Sequence, residues 1–393
     1  MKFFHLSDLH IGLKLINYDL SEDQKYVFDQ ITAYARKEQP DAILIAGDIY
    51  DKAVPSAEAV ELFDSFVSAL NEAAPHAEIM MISGNHDSGP RVNVFRSILQ
   101  RQHVHMIGLP PTKPEEHIEK ITLNDSYGPV NFYLLPFVKP SMIKTITSNE
   151  DDDSPLSYSE DDDSPLSYNE AVHRLAAREN INESERNVLV SHQFYLPSGA
   201  DPASVERMDS EVLTVGNIDV INADVLQKFD YAALGHIHKP MRVGSEFYRY
   251  CGTPMPYSVS EAGQDKGVIE VTMNEKGNVS VSVLPLTPLH AIRKIEGTLD
   301  EVLAQATDDY AYITLTDDSN NRQTQDRIDY DFPRCLKLNW NNIRTNNVVF
   351  TGSDPSSLSP YEFCLRFLND LNDDEKRILE SAVNAVKEEG EDQ

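Results

Sequence analysis

Long hydrophobic runs are missing from this 393-residue chain: no stretch approaches the roughly 18 apolar residues of a membrane span. The first ten residues carry Asp8 and His10 where an export signal would be apolar, so no secretory signal is read there. Cysteine is scarce. Cys251, Cys335 and Cys364 are odd in number and widely spaced, which excludes a disulfide framework or zinc knuckle and fits a reducing cytoplasm. Positive charge is also short, with 34 Lys and Arg against 64 Asp and Glu and a formal net charge of −30. A protein that grips nucleic acid through its bulk field should be basic, so autonomous tight DNA binding is argued against. About half of the excess is local, with a net of −8 in residues 149–169 and −7 in residues 351–393. A phosphodiester substrate held through metal ions stays open.

What is present is ordinary for a globular protein: 40% apolar and 25% charged residues, enough for two domains or one large domain with additions. The first hundred residues alternate strand and helix, the mark of a layered α/β fold. Strands are predicted at Lys2–Leu6, Asp41–Ala46 and Ile79–Ile82. Helices are predicted from Ser21 to Glu38, with Ser21 and Gln24 as a capping box, from Pro55 to Asn71, with Pro in the first turn, and from Val92 to Gln102. Later strands are predicted at Val130–Leu135, Asn187–Ser191 and Tyr231–Leu234. Phe247–Tyr250, Val268–Thr272 and Val279–Leu284 then read as a second sheet packed on the first. Residues 288–350 read as a small α+β unit, and the tail from Ser359 as two amphipathic helices. Their stripes are Tyr361, Cys364, Leu365 and Leu368, then Ile378, Leu379, Ala382, Val383 and Val386. The tandem copy of EDDDSPLSY at 150–158 and 160–168 reads as a solvated surface loop.

Five polar clusters fall at predicted strand ends: Asp8-x-His10, Gly47-Asp48-x-x-Asp51, Gly84-Asn85-His86-Asp87, Ser191-His192 and Gly235-His236-x-His238. In open α/β sheets, the carboxyl ends of strands are where ligands bind. Each cluster alone fits a turn, a helix cap or a satisfied core histidine; five in this order fit one site. Mixed carboxylate, amide and imidazole donors suit Mn²⁺ or Fe²⁺, whereas Mg²⁺ favours oxygen and structural zinc favours cysteine. Two such ions clamp the attacking and leaving oxygens of a phosphoryl displacement, and a carboxylate such as Asp48 can bridge them.

The ordered set resembles the calcineurin-like metallophosphoesterase superfamily. Within it, the chain is similar to bacterial SbcD-type nuclease subunits, relatives of the archaeal and eukaryotic meiotic-recombination nucleases. The closer features are Phe4-His5-Leu6-Ser7-Asp8-Leu9-His10-Ile11-Gly12, Pro55-Ser56, Ser191-His192-Gln193-Phe194 and Gly252-Thr253-Pro254-Met255-Pro256-Tyr257-Ser258. The likeness covers residues 1–300 well and the remainder by general layout. It implies a two-sheet αββα sandwich over residues 1–287, a small α+β capping domain at 288–350 that positions DNA, and a helical partner-binding tail at 356–389. It implies Asp8, His10, Asp48 and His238 on one metal and Asp48, Asn85, His192 and His236 on the other. His86 would donate a proton to the leaving oxygen or stabilise the transition state, oriented by the Asp51 carboxylate.

The implied activity is Mn²⁺-dependent cleavage of DNA, with Mg²⁺ or Fe²⁺ as alternatives: exonuclease on double-stranded ends, endonuclease on single strands and hairpins. The implied assembly is a homodimer within a heterotetramer, with an SbcC-like coiled-coil ATPase as partner, in the cytoplasm on the nucleoid and off the membrane. Arg91, Arg96, Lys139 and Arg242 are the bases nearest the motifs. Competing readings are a phosphatase or cyclic-nucleotide phosphodiesterase with the same metals, and a non-cleaving DNA scaffold. The capping unit and amphipathic tail count against the first, and the complete ligand set against the second.

Overall fold

Strands that are apolar on both sides must be covered on both sides, and this requirement sets the layering. In Lys2–Leu6, Ala42–Ala46 and Glu78–Ile82, alternate residues serve two cores. Phe4, Ile43, Ile45, Ile79 and Met81 point to the helices; Phe3, Leu44, Met80 and Ile82 point to a second sheet. The computed structural model describes residues 1–143, 146, 166–211, 219–317, 321–341, 359–367, 371 and 373–391.

The first six-stranded sheet runs in the order Val279–Leu286, Lys266–Met273, Lys2–Leu6, Ala42–Ala46, Glu78–Ile82, Val104–Ile107. The second runs Met241–Val243, Ser245–Tyr250, Tyr231–Gly235, Arg186–His192, Gly128–Leu135, Glu119–Asp125. Between them lies a core with Phe3, Phe132 and Tyr231 packed edge to face. Helices α1 (Ser21–Glu38) and α2 (Ala57–Ala73) cover the first sheet, and Tyr168–Arg178 covers the second. The expected αββα sandwich is therefore the fold. Beyond it, a three-stranded parallel sheet (Ile292–Gly297, Tyr310–Leu315, Cys335–Trp340) and two helices (Leu299–Leu303, Arg322–Asp331) enclose a small core of their own.

Several local expectations change. Lys266–Met273 and Val279–Leu286 join the first sheet rather than the second, because Lys266–Met273 pairs antiparallel with Lys2–Leu6. No capping box forms at α1: Leu20 is the N-cap, and Gln24 is buried with its amide turned toward the loop after the first strand. Helix α2 begins after Pro55, because Ser56 takes the cap and accepts from Ala59 N (3.3 Å). The single helix expected at 92–102 is broken into Gly89–Val92, Arg96–Leu99 and a 3₁₀ turn at Gln100–Gln102. Phe95 interrupts it with a left-handed φ of 61°, and the Asn93 side chain accepts from Gly108 N instead (2.7 Å). The tail forms helices Pro360–Phe367 and Asp373–Glu391, with Leu368 outside the described residues. Most of the acidic repeat also lies outside them.

Candidate metal centre

Loops leave the carboxyl ends of strands in both sheets and meet at one edge of the sandwich. Asp8 N donates to the Gly47 carbonyl and His10 N to the Asp48 carbonyl, both at 3.0 Å, so the first two loops run side by side. Asp8 (φ 52°), His10 (φ 42°), Asp48 (φ 49°) and His236 (φ 98°) adopt left-handed backbone. For non-glycine residues this costs about 1–3 kcal/mol each and persists only where surrounding structure over-determines it. Gly84 meets the opposite demand: a Cβ there would lie 2.1 Å from Asp48 Oδ1 and 2.4 Å from Asp48 N.

The seven sequence-predicted ligands come together as two clusters sharing Asp48. On one side, His10 Nε2 is 3.1 Å from His238 Nε2 and 3.5 Å from Asp48 Oδ2, and His238 Nε2 is 3.9 Å from Asp8 Oδ1. On the other, Asn85 Oδ1 is 3.1 Å from His192 Nε2 and 2.9 Å from His236 Nδ1, while Asp48 Oδ2 is 3.2 Å from His192 Nε2. All except Asn85 are buried, and Asn85 is half-buried. One carboxylate oxygen, Asp48 Oδ2, thus faces both groups.

Electrostatics fit ligation at His10, His236, His238 and Asp48, and the ring orientations fit it at His192 and His238. Burial holds His10 at about 3, His236 at about 4 and His238 well below its ordinary range, so these rings are neutral and carry lone pairs. Burial opposes ionisation of Asp48, but His192, His86 and His10 outweigh it and keep the carboxylate charged. Burial likewise works against charge on His192, yet Asp48 and Asp8 raise it to about 9. Burial, with Asp48 beside it, lifts Asp8 to about 7 despite the opposing pull of His192. His192 Nδ1 must donate to the Ala46 carbonyl (2.7 Å), which aims Nε2 at the cluster. His238 Nδ1 faces Ser210 Oγ (2.7 Å), which aims its Nε2 likewise. Two neutral ring nitrogens confronting each other at 3.1 Å, in an oxygen and nitrogen donor set, fit divalent first-row ions.

His86 lies beside this set, its ring 4.8 Å from that of His10 and its backbone N donating to Asp48 Oδ1 (2.9 Å). Its Nδ1 donates to the main-chain carbonyl of Asp51 (2.9 Å), where the sequence pointed to that residue's carboxylate. The 47–51 loop is fixed by Asp51 N on the Ile11 carbonyl, which turns the Asp51 carbonyl toward His86 and leaves its carboxylate 3.9 Å from His10 Nδ1.

Of the supporting residues, Asp87 stood in one of the five clusters, whereas Glu261, Lys266, Glu211 and Arg207 went unread in the sequence. The Asp87 carboxylate accepts from Ile49 N, Tyr50 N and Gly84 N (3.0, 2.9 and 2.9 Å), clamping the second and third loops together. Glu261 accepts from Ser210 Oγ (2.6 Å) and from buried Lys266 Nζ (2.7 Å). Glu211 accepts from His238 N (2.9 Å) and pairs with Arg207, whose guanidinium lies over the Phe194 ring and 3.3 Å from His236 Nε2. Only the i,i+4 spacing of Arg207 and Glu211 could have signalled this. Of the bases near the motifs, Arg96 pairs with Glu119 (2.7 Å), while Arg91 and Arg242 are exposed.

The model of the calcineurin-like phosphoesterase family matches residues 1–240. The SbcD chain of nuclease SbcCD from Staphylococcus epidermidis is 29% identical over 359 residues, covering 90% of this chain and 87% of the relative. Among solved structures, a dimetal phosphatase from Danio rerio matches with a TM-score of 0.41 at 13% identity, over 73% of this chain and 99% of that one. A protein from Thermus thermophilus matches with a TM-score of 0.39 at 11% identity, over 72% and 98%. The family match runs from the first strand to beyond His238 and so takes in every loop of the centre. The chain is a member of the calcineurin-like phosphoesterase family, and with it a metal-dependent phosphoesterase.

Proposed function

We propose that the protein is a Mn²⁺-dependent DNA nuclease that hydrolyses phosphodiesters at a two-metal centre, acting on double-stranded ends and on single strands and hairpins. The observation that carries the two-metal reading is Asp48 Oδ2, 3.5 Å from His10 Nε2 and 3.2 Å from His192 Nε2, with further donors on either side. Asp8, His10, Asp48 and His238 would hold one ion, and Asp48, Asn85, His192 and His236 the other. Bound there, two divalent ions clamp the attacking and leaving oxygens and make a water nucleophilic near neutral pH. DNA as substrate is supported by the likeness to an SbcCD nuclease chain over 90% of the sequence, well past the phosphoesterase core.

The chain's own residues orient and transfer. His86 Nδ1 is committed to the Asp51 carbonyl, so Nε2 is the atom that hands a proton to the leaving oxygen. Asp51 thus acts through its main chain to hold the ring. The 292–340 unit serves as the capping domain that positions the duplex.

The tail helices dock on the coiled coil of an SbcC-like ATPase, in keeping with Ile378, which is 69% exposed on the second helix. That partner supplies much of the positive surface this acidic chain lacks. Exposed Val94, Phe95 and Ile98 support a homodimer contact within the heterotetramer. No helix among the described residues is long and apolar enough to cross a membrane, and cytoplasmic action on the nucleoid is part of the proposal.

The test is Mn²⁺-dependent digestion of linear and hairpin DNA, beside a small phosphodiester, with and without the ATPase. His86→Ala should lose about 10²-fold or more in DNA cutting while keeping Mn²⁺ affinity. Hydrolysis of the small ester alone, even with the partner present, would replace this reading with that of a small-substrate phosphodiesterase.

A further inference from the structure

Two adjacent residues in the first turn of α1 face opposite ways. Gln24, fully buried, donates from Nε2 to the carbonyls of His10 (2.8 Å) and Leu9 (3.2 Å), and its Oε1 accepts from Gly12 N (3.2 Å). It therefore saturates the loop that presents His10 in left-handed backbone. Asp23, also buried, turns to the 292–340 unit. Its Oδ1 accepts from His290 N (3.1 Å) and lies 3.0 Å from His290 Nδ1; its Oδ2 accepts from the Tyr310 hydroxyl (3.0 Å).

The rest of α1 holds the connector to that unit and the end of the strand that leads into it. Gln30 exchanges two hydrogen bonds with Thr287, at 2.8 and 3.1 Å, and the Tyr34 hydroxyl donates to the Pro285 carbonyl (2.8 Å). Tyr18, just before α1, packs on Tyr310 and donates to the Cys335 carbonyl (3.2 Å). One helical turn thus joins the His10 loop to the small sheet through consecutive side chains, with no flexible segment between.

We infer that Asp23 and Gln24 are positioning residues that couple the metal affinity of the His10 loop to the seating of the 292–340 unit. The inference rests on the reading of His10 as a metal ligand. In consequence, a force on the small unit, such as a duplex pressing on it, is felt at the metal loop. A rigid helix transmits a displacement that a loop would absorb.

The test uses the full chain and reads Mn²⁺ binding by titration calorimetry, beside thermal melting. Gln24→Leu should raise the Mn²⁺ Kd by about tenfold or more, as loss of a residue that orients a ligand does. Tyr310→Phe and Asp23→Ala, remote from the ions, should raise it as well. Asp23→Asn, which keeps an acceptor for His290 and can donate to the Tyr310 hydroxyl, should restore it. The combination Tyr310→Phe with Gln24→Leu should depart from the product of the single effects by a factor of about 2 or more. Lowered melting temperatures with wild-type Mn²⁺ Kd in Tyr310→Phe and Asp23→Ala would overturn the coupling and leave Asp23 a structural staple. Because no substrate enters the titration, this outcome is independent of whether the enzyme proves to cut DNA or only a small ester.

Discussion

His5 lies on the first strand and Asp48 in the loop just past the neighbouring Ala42–Ala46 strand; burial opposes charge on both, with opposite outcomes. Around Asp48 the imidazoles outweigh the cost of burying a charge, and the carboxylate stays ionised to bridge two clusters. His5 has no such company. It is fully buried, its Nδ1 is 3.0 Å from the Tyr231 hydroxyl, and its Nε2 donates to the Leu234 carbonyl (3.2 Å). Burial pushes its pKa from 6.5 down to about 3. Between those values the unfolded chain binds a proton that the native one refuses, so the stability from neutral His5 is whole above about pH 6.5 and drains as pH falls toward 3. His5→Gln keeps both hydrogen-bonding roles without the titration. Urea midpoints should therefore fall less between pH 7 and pH 5 for His5→Gln than for wild type.

At the level of elements, strand ends and the short segments against them do the positioning. The Lys266–Met273 strand begins with a buried ammonium whose Nζ donates to Glu261 Oε2 (2.7 Å), Thr253 Oγ1 (2.7 Å) and the carbonyl of His238 (3.0 Å). Through Ser210, Glu261 in turn reaches His238 Nδ1. Removing one member of a buried pair leaves the other charged and alone, so Lys266→Met should cost about 3–5 kcal/mol in denaturant unfolding. Lys266→Met with Glu261→Gln should recover much of that loss. The pair was illegible beforehand, since a lysine opening an alternating strand looks like an exposed strand end. The same holds for Gln24: Ser21 and Gln24 have capping-box spacing, but the pull of two loop carbonyls outweighed the local cap.

Across the whole molecule, the candidate centre draws its donor side chains from strand ends and loops of both sheets, so it exists only when the sandwich is closed. Metal binding should then stabilise the global fold. Mn²⁺ at about 100 times its Kd contributes about 2.7 kcal/mol per site. Differential scanning calorimetry should show a melting temperature that climbs with Mn²⁺ and drops on chelation, and Asp48→Ala should abolish the climb. A melting temperature indifferent to Mn²⁺ in the wild type would contradict the two-metal reading.

The sequence by itself determined the layered α/β class, the helix Ser21–Glu38 and the five polar clusters, because strand and helix periodicity and glycine-polar strand ends are local signals. Sheet membership of Lys266–Met273 was not local. It was decided by pairing with Lys2–Leu6, more than 260 residues away in the chain. Nor could the residue string show which atom of each residue makes which contact: the carbonyl of Asp51 rather than its carboxylate meets His86 Nδ1, and His192 Nε2 faces the cluster because Nδ1 is taken by the Ala46 carbonyl. Hydrogen-bond partners of buried groups are chosen by whatever backbone lies within about 3 Å once the layers have packed, and only the tertiary structure decides that.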